Sequence, residues 1–217
     1  MKQNINTLKK QIIEIGKLAY SNGYVAANDG NISVRLNERS ILVTPTCVSK
    51  GRMKAGDLVI VDMNGKVTGG TKKPTSELLM HLHIYKERSD VNSVCHLHPP
   101  YATGFAAAGI LLNQNVLVEA DVLLGKIPLV EYALPGTEEL SRKLIPHLKE
   151  SDAFLLANHG AVTVGKDVYG AFYNMETLEH TAHIIFIARQ LGHLNVLDKD
   201  RAKELADLRE KFKKGKE

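Results

Sequence analysis

The chain has 217 residues, of which 44% are hydrophobic and 24% are charged, and its formal net charge is +4. These values are those of an ordinary globular protein, and the length predicts a single domain over residues 1–217. No apolar run approaches the ~18 residues that a membrane span needs, and no basic patch is interleaved with aromatic residues. We therefore expect neither a membrane nor a nucleic-acid partner.

Cysteine content and the N-terminal residues bear on the compartment. Cys47 and Cys95 are too few for a disulfide framework, and a reducing compartment suits both. The first residues lack the apolar core of a signal peptide. We therefore expect a soluble, cytoplasmic protein. Eight basic residues between Lys199 and Lys216 are interpreted as part of a solvated terminal helix.

The predicted elements begin with helix 5–21, a turn at 28–31, strands 32–36 and 40–44, and a hairpin with strands 58–62 and 66–68. Next come helix 75–88, a buried strand that begins at residue 90 and ends in His98, helix 100–109, strands 116–119 and 127–130, helix 137–149, strands 153–157 and 161–164, and helices 167–191 and 199–213. Hairpins followed by alternating strands and helices predict a three-layer α/β (α+β) domain with helices on both faces of a central mixed, mainly antiparallel sheet. Glycine-rich dinucleotide and Walker motifs are absent, which argues against nucleotide cofactors.

Three histidines stand at predicted strand ends. His96 and His98 are two residues apart, and side chains at such positions of a strand point to the same face and can converge on one ion. His159, in Leu-Ala-Asn-His-Gly, can supply a third imidazole from a second strand end. Three nitrogens leave a position open for substrate, which is the arrangement that a catalytic zinc needs. The sequence therefore predicts a metal site formed by His96, His98 and His159.

Two other histidine pairs are interpreted as structural. His81 and His83 lie in a predicted helix, where residues two apart point about 200° away from each other and cannot share an ion. His180 and His183 have a spacing that suits a helical metal site. However, the apolar run at 184–187 favours a packed core helix.

Three polar turns are candidates for binding an anion. They are Gly30-Asn31, Thr44-Pro45-Thr46, and Pro74-Thr75-Ser76-Glu77, which opens a predicted helix. Helix N-termini and successive backbone N–H groups bind phosphate readily. Each turn alone also fits plain capping chemistry. Their joint occurrence upstream of three histidines favours a phosphate site.

These motifs together resemble the class II aldolase/adducin family, and the chain looks most like its L-fuculose-1-phosphate aldolase branch. The resemblance rests on Gly30-Asn31-Ile-Ser-Val-Arg35, Thr44-Pro-Thr46, Lys73-Pro-Thr-Ser-Glu77, His96-x-His98 and Asn158-His159-Gly160. It covers roughly residues 5–190. It implies a class II aldolase fold, a homotetramer with active sites at subunit interfaces, and a small-molecule sugar phosphate as substrate.

The resemblance also implies roles for individual residues. One Zn²⁺ per chain would be held by His96, His98 and His159, and Glu77 stands where aldolases place a glutamate that contacts the metal and acts as a base. The implied phosphate-binding positions are Asn28, Gly30, Asn31, Thr46, Cys47, Thr75 and Ser76. The implied reaction is reversible cleavage of a ketose 1-phosphate, such as L-fuculose 1-phosphate, to dihydroxyacetone phosphate and an aldehyde.

Some positions depart from the aldolase pattern. Cys47 replaces a glycine, and the tyrosine that donates a proton in the fuculose enzyme is missing, with Leu117 near its place. The segment Ala120-Asp121-x-x-x-Gly125 resembles the ribulose-phosphate 4-epimerases, in which the aspartate is an acid/base. We therefore assign Asp121 as a second catalytic residue. Those epimerases carry aspartate where Glu77 stands, and this difference favours an aldolase.

Three alternatives stay open on the same fold. They are a ribulose-5-phosphate 4-epimerase, a methylthioribulose-1-phosphate dehydratase and a non-catalytic adducin-like domain. The adducin-like interpretation is the weakest, because a non-catalytic domain needs no metal site and the three histidines and Glu77 are all present.

Overall fold

A computed structural model describes residues 4–112 and 115–214. Its helices are α1 (Ile5–Ser21), α2 (Leu78–Glu87), α3 (Pro100–Ala107), α4 (Val118–Leu123), α5 (Glu138–Leu144), α6 (Val168–Leu191) and α7 (Lys199–Lys214). Its strands are β1 (Asn31–Asn37), β2 (Ser40–Val43), β3 (Val59–Asp62), β4 (Val67–Gly69), β5 (Ser93–Leu97), β6 (Leu129–Val130), β7 (Ala153–Leu156) and β8 (Gly160–Gly165). Among these residues, no helix combines the length and apolar character needed to cross a membrane.

The strands form one sheet in the order β4-β3-β2-β1-β5-β8-β7-β6. Neighbouring strands are antiparallel except for β6 and β7, which are parallel. The predicted mixed, mainly antiparallel sheet is therefore confirmed. Strand β5 lies in the middle, and His96 pairs with Asn31 of β1 on one side and with Val162 of β8 on the other.

Each face of the sheet has its own hydrophobic core, because successive strand residues point to opposite faces. Ile32 and Val34 of β1 pack in the core that α1, α3 and α6 cover. Val94 of β5 and Val162 of β8 pack in the core that α2 and α5 cover. The predicted three-layer arrangement is thus confirmed by two separate cores.

The strand predicted at 116–119 is wrong. Leu117 is extended, but the chain turns at Val118 into helix α4. Glu119 and Asp121 lie in the first turn of this helix, where carboxylates interact favourably with the helix dipole. Helix α4 also packs against α7 and α6, and these contacts with distant parts of the chain outweigh the strand propensity of the valines.

Two predicted helices have different limits. The helix predicted at 75–88 begins at Leu78, because the preceding residues pair with a neighbouring turn: the Thr75 N–H donates to the Thr44 carbonyl at 3.1 Å. The helix predicted at 137–149 ends at Leu144 and continues as one 3₁₀ turn, Ile145–His147, which contains Pro146. Proline lacks the N–H that an α-helix needs at such a position.

The C-terminal helix is less solvated than predicted. Most of α7 is exposed, but the Arg209 side chain is buried and its guanidinium donates to the Val122 carbonyl of α4 at 3.2 Å. The same guanidinium lies 3.5 Å from the Asp152 carboxylate. Arg209 therefore fastens α7 to α4.

Candidate metal and substrate site

The structure brings the three predicted histidines together at the carboxyl end of β5. His96 is buried near the end of that strand and His98 follows it, while His159 lies in the short turn between β7 and β8. One ring nitrogen of each lies within 4.8 Å of the others. Three imidazoles on strand ends can therefore share one metal ion.

Neighbouring backbone groups orient the imidazoles. His96 Nδ1 lies 2.9 Å from the Ala161 carbonyl oxygen, which can only accept, so Nδ1 carries the proton and Nε2 faces the other histidines. A backbone partner of this kind fixes the tautomer of many metal-binding histidines. His98 approaches closely because Gly160 has no side chain. A Cβ at Gly160 would lie 2.5 Å from His98 Cδ2.

The turn that carries His159 depends on its neighbours. Asn158 adopts a left-handed conformation with φ of +57°, which asparagine tolerates better than most residues. The His159 N–H donates to the Leu156 carbonyl at 3.0 Å and closes the turn. The Asn158-His159-Gly160 motif thus links two strands while it directs an imidazole to the site.

Glu77 immediately precedes α2 and faces the cluster. Its Oε2 lies 3.0 Å from His96 Nε2, and its Oε1 lies 3.5 Å from His159 Nε2. Since Nδ1 of a neutral His96 holds the proton, Nε2 presents a lone pair to a carboxylate oxygen. Such a contact requires a proton or a cation between the two atoms. Among the described residues, the buried Glu77 Oε1 has no hydrogen-bond donor, which also suits a metal.

Charge and burial shift the pKa values of these groups in opposite directions. Burial alone would raise the pKa of Glu77, but the adjacent His96 holds it below its usual range. Burial and then His96 lower the pKa of His98 to about 3 and that of His159 to about 4. At neutral pH, His98 and His159 are therefore uncharged and have a lone pair available for a metal.

The three polar turns lie side by side. Pro45 and Pro74 form an isolated β-bridge, and the Thr46 N–H donates to the Lys73 carbonyl at 3.1 Å. Gly30 adopts φ of +73°, and a Cβ there would lie 3.0 Å from the His96 carbonyl oxygen. The turn at 28–31 thus lies against strand β5 at a position that residues other than glycine cannot occupy without strain.

Residues of these turns differ in accessibility. Asn28, Cys47 and Ser76 are exposed, and Cys47 has a left-handed backbone with φ of +57°. The Thr75 side chain is buried and its hydroxyl accepts the Glu77 N–H at 3.3 Å. Thr75 therefore has a local capping role, whereas Asn28, Cys47 and Ser76 are accessible to a ligand.

A buried lysine joins two of the turns. The Lys50 side chain is 1% exposed, and its ammonium donates to the carbonyls of Asn28 and Val48 at 2.8 and 2.7 Å. Burial lowers the pKa of Lys50 to about 8, although Asp29 and Cys47 act against this shift. Lys50 thus fastens the 28–31 turn to the 45–49 turn and places a cation beneath them.

Comparison with known proteins agrees with this geometry. Residues 10–186 match the family described as Class II Aldolase and Adducin N-terminal domain. The chain belongs to the class II aldolase/adducin family. An L-fuculose phosphate aldolase of Methanococcus maripaludis is 38% identical over 181 residues, which are 83% of this chain and 97% of that protein. A 3-oxo-tetronate 4-phosphate decarboxylase of Haemophilus influenzae is 35% identical over 182 residues, 82% of this chain and 86% of that protein.

A solved structure extends the likeness to the whole fold. An L-fuculose 1-phosphate aldolase superposes with a TM-score of 0.86 at 31% identity, and the match covers 95% of this chain and 96% of the other. The chain therefore has the class II aldolase fold, as the sequence resemblance implied. It is a lyase-like enzyme of a metal-dependent family, and three histidines are placed to bind the metal.

Asp121 lies apart from the metal-binding end of this class II aldolase chain. Its Oδ1 accepts the Asn115 N–H at 3.0 Å, and its helix, α4, packs against α7 and α6. The next residue, Val122, lines a cavity together with Gly165. Gly165 pairs with Ser93, which lies at the opposite end of β5 from His96. The structure therefore does not bring Asp121 to the three histidines within one chain.

Several residues near the site were missed by the sequence reasoning. They are Asp29, whose carboxylate lies 3.7 Å from His98 Nδ1, Lys50, and the buried Ser33, His81 and Tyr85. One signal was available: Ser33 and Arg35 of the predicted strand 32–36, with Asn31 just before it, put polar groups on one face. Buried polar groups need partners, and a helix with His81 and Tyr85 four residues apart can supply them.

In the second histidine pair, His183 has a structural contact and His180 is exposed. His183 stacks on Tyr101 with ring centroids 3.8 Å apart. The nearby Glu179 accepts the backbone N–H groups of Tyr101 and Ala102 at 2.9 and 2.8 Å. This part of α6 therefore fixes the start of α3.

Proposed function

We propose that the chain is a zinc-dependent class II aldolase that reversibly cleaves a ketose 1-phosphate, such as L-fuculose 1-phosphate, to dihydroxyacetone phosphate and an aldehyde. The observation that carries this proposal is the Glu77 carboxylate facing the three histidines, with polar turns beside it. One Zn²⁺ would be held by His96, His98 and His159. When bound, it would polarise the substrate carbonyl and stabilise the negative charge of the enediolate.

Glu77 is the base and acid at carbon in this proposal. Cleavage leaves a three-carbon enediolate, and the Glu77 carboxyl group, after taking a proton from solvent, returns it to the carbon that lost the aldehyde. In the condensation direction the carboxylate removes that proton. Its burial and the hydrogen bond from Asn31 Nδ2 at 2.8 Å hold it in one place, which general acid/base catalysis requires.

The phosphate is assigned to the three turns. The proposed contacts come from Asn28, Gly30, Asn31, Thr46, Cys47, Thr75 and Ser76. The Lys50 ammonium beneath two of these turns adds a positive charge on the protein side. The Asn31 side chain already binds Glu77 and His81, so its phosphate contact would use the remaining N–H groups.

The hydroxyl proton at the other end of the substrate is assigned to Asp121 of a neighbouring subunit. A homotetramer with active sites at subunit interfaces is part of this proposal. Large apolar side chains on the surface of α6 support association: Phe186 and Ile187 are each 44% exposed and Leu191 is 85% exposed. Light scattering of the purified protein measures the subunit number directly.

A second candidate is decarboxylation of a 3-oxo sugar acid phosphate. Loss of CO₂ next to a ketone and loss of an aldehyde next to a ketone leave the same three-carbon enediolate. Loss of CO₂ needs no group to accept a hydroxyl proton. Leu117 near the place of the missing tyrosine, and the 35% identity with a protein named as such a decarboxylase, favour this candidate.

The two candidate reactions are distinguished by the fragment that each of them releases. The zinc-loaded enzyme is incubated with L-fuculose 1-phosphate and a panel of other ketose 1-phosphates, and separately with 3-oxo-tetronate 4-phosphate. Both arms measure dihydroxyacetone phosphate, and the second also measures CO₂. Dihydroxyacetone phosphate with an aldehyde supports the aldolase, whereas dihydroxyacetone phosphate with CO₂ and no cleavage of any ketose 1-phosphate replaces it with the decarboxylase. The absence of dihydroxyacetone phosphate in every arm contradicts both.

A further inference from the structure

A chain of buried hydrogen bonds runs from Glu77 into the protein, away from the three histidines. Asn31 Nδ2 donates to Glu77 Oε2 at 2.8 Å, and Asn31 Oδ1 contacts His81 Nε2 at 2.5 Å. His81 Nδ1 lies 2.7 Å from Ser33 Oγ, and Ser33 Oγ lies 2.8 Å from the Tyr85 hydroxyl. All five side chains are buried, so water does not replace these contacts easily.

Only one assignment of protons satisfies every contact when Glu77 is ionised and His81 is neutral. A carboxylate only accepts, so Asn31 must turn its amide nitrogen to Glu77 and its oxygen to His81. His81 Nε2 must then carry a proton, and Nδ1 of a neutral imidazole accepts from the Ser33 hydroxyl. The Ser33 oxygen in turn accepts from Tyr85. Burial lowers the pKa of His81 to about 3, which keeps this imidazole neutral.

We propose that His81 is a positioning residue whose Nε2–H fixes the Asn31 amide, so that the amide nitrogen holds the Glu77 carboxylate beside the three histidines. This inference rests on the proposed role of Glu77 as the base. His81 does not contact the substrate or the metal in this account. It acts through Asn31.

The alternative orientation of Asn31 shows why His81 matters. A flipped amide would place its oxygen against Glu77 Oε2, so that two acceptors would face each other in a buried position. Leaving buried polar groups unpaired is costly. With its donor removed, Asn31 is free to flip and Glu77 loses its fixed hydrogen bond. Misplacement of a catalytic group by about 1 Å can lower a rate by about 10²-fold.

The first test measures the His81 tautomer and needs no substrate. The protein is labelled with ¹⁵N-histidine, and long-range ¹H–¹⁵N spectra are recorded at pH 7 with and without zinc. The His81 signals are identified by their loss in His81→Gln. The proposal predicts a neutral ring with the proton on Nε2 in both states. A proton on Nδ1, or a doubly protonated ring, overturns it.

The second test compares two variants of His81 whose amide nitrogen lies at the place of one or the other imidazole nitrogen. The amide nitrogen of His81→Gln reaches the place of Nε2 and can still donate to Asn31, whereas that of His81→Asn reaches only the place of Nδ1. We expect His81→Asn to lower kcat at least tenfold, with KM changed less than threefold and zinc retained, and His81→Gln to recover most of the loss. His83→Asn, on the same helix with its ring 3.3 Å from Glu138, is the matched control.

The Glu77→Gln variant serves as the background in which a positioning role of His81 is distinguished from a packing role. If His81 acts through Glu77, His81→Asn causes no further loss of kcat when Glu77 is already Gln. An equal loss in both backgrounds, or an equal loss in His81→Gln and His81→Asn, assigns His81 to packing and overturns the proposal. If no substrate is cleaved, the proposed function fails, while the tautomer measurement still decides the direction of the hydrogen-bond chain.

Discussion

The proposed catalytic residues lie at two ends of the fold, and these two ends are built differently. At the metal end, which holds the three histidines, His96 comes from β5, Glu77 from the residue before α2, and Asn31 from β1. Each of these side chains is held by a second group of the same chain. At the other end, Asp121 lies on a short helix away from the histidines. In the proposed reaction, one subunit would supply the residues that act on the phosphate-bearing three-carbon fragment. The aldehyde released by the proposed aldol cleavage would meet Asp121 of a neighbouring subunit.

Glu77→Gln tests the metal end with the largest expected effect on turnover. Glutamine keeps the shape of the side chain but cannot take a proton, so we expect kcat to fall by about 10²–10⁴-fold. Zinc measured by mass spectrometry should stay near one per chain, because the three histidines remain. Activity within about threefold of the parent enzyme would remove Glu77 from the proton transfer.

Asp121→Asn tests the other end. If Asp121 handles the hydroxyl proton in aldol cleavage, kcat should fall by about tenfold or more. Zinc content, subunit number and Tm should change little, because the Asn115 N–H can still bind an amide oxygen. Loss of assembly, or a large drop in Tm with full activity per folded site, would assign Asp121 to structure.

The same variant sharpens the choice of reaction. Loss of CO₂ needs no proton acceptor at a hydroxyl group. Asp121→Asn should therefore impair cleavage of a ketose 1-phosphate and leave decarboxylation nearly unchanged. Equal loss of both activities would show that Asp121 does not act on the leaving group.

Lys50→Met has the smallest expected effect on turnover and acts mainly on stability. The pKa of Lys50 is about 8 in the folded protein and 10.5 in its ordinary state, so the unfolded chain binds more protons between these values. The contribution of Lys50 to the free energy of unfolding therefore rises with pH through that window, by up to about 3 kcal/mol. Urea unfolding at pH 7.5 and 10 should show this rise in the parent and lose it in Lys50→Met.

Lys66→Met is the control for that measurement, because Lys66 is an exposed residue after β3. It should keep the pH dependence of the parent. The same dependence in Lys50→Met would mean that Lys50 does not titrate in this window. Its two hydrogen bonds to the turns would then be the whole of its role.

Sequence patterns were sufficient where a residue's partners are close in the chain or fixed by strand geometry. His96-x-His98 converges because strand residues two apart share a face, and the predicted hairpins favoured the mainly antiparallel sheet that is observed. The Asn158-His159-Gly160 turn also has its reasons in the sequence, since asparagine tolerates the left-handed conformation and glycine leaves room for His98.

The sequence patterns failed where contacts between distant parts of the chain determine the local structure. The Val116–Glu119 segment has strand propensity, yet α4 forms there and is held by Arg209 of α7, 87 residues away from Val122. The two ring nitrogens of His81 contact Ser33 and Asn31, and the sequence reasoning found neither partner. The bond of His81 to Asn31, 50 residues earlier, depends on the packing of α2 on β1, and spacing along a helix does not reveal it.

We propose that His96, His98 and His159 bind one zinc ion, and metal analysis of purified protein decides whether they do. The parent enzyme should hold one zinc per chain, with imidazole nitrogens about 2.0–2.1 Å from the ion in a crystal structure of the loaded protein. The His96→Ala/His159→Ala double variant should hold almost none, whereas His180→Ala, an exposed histidine on α6, should match the parent. Stoichiometric zinc in the folded double variant would contradict the account.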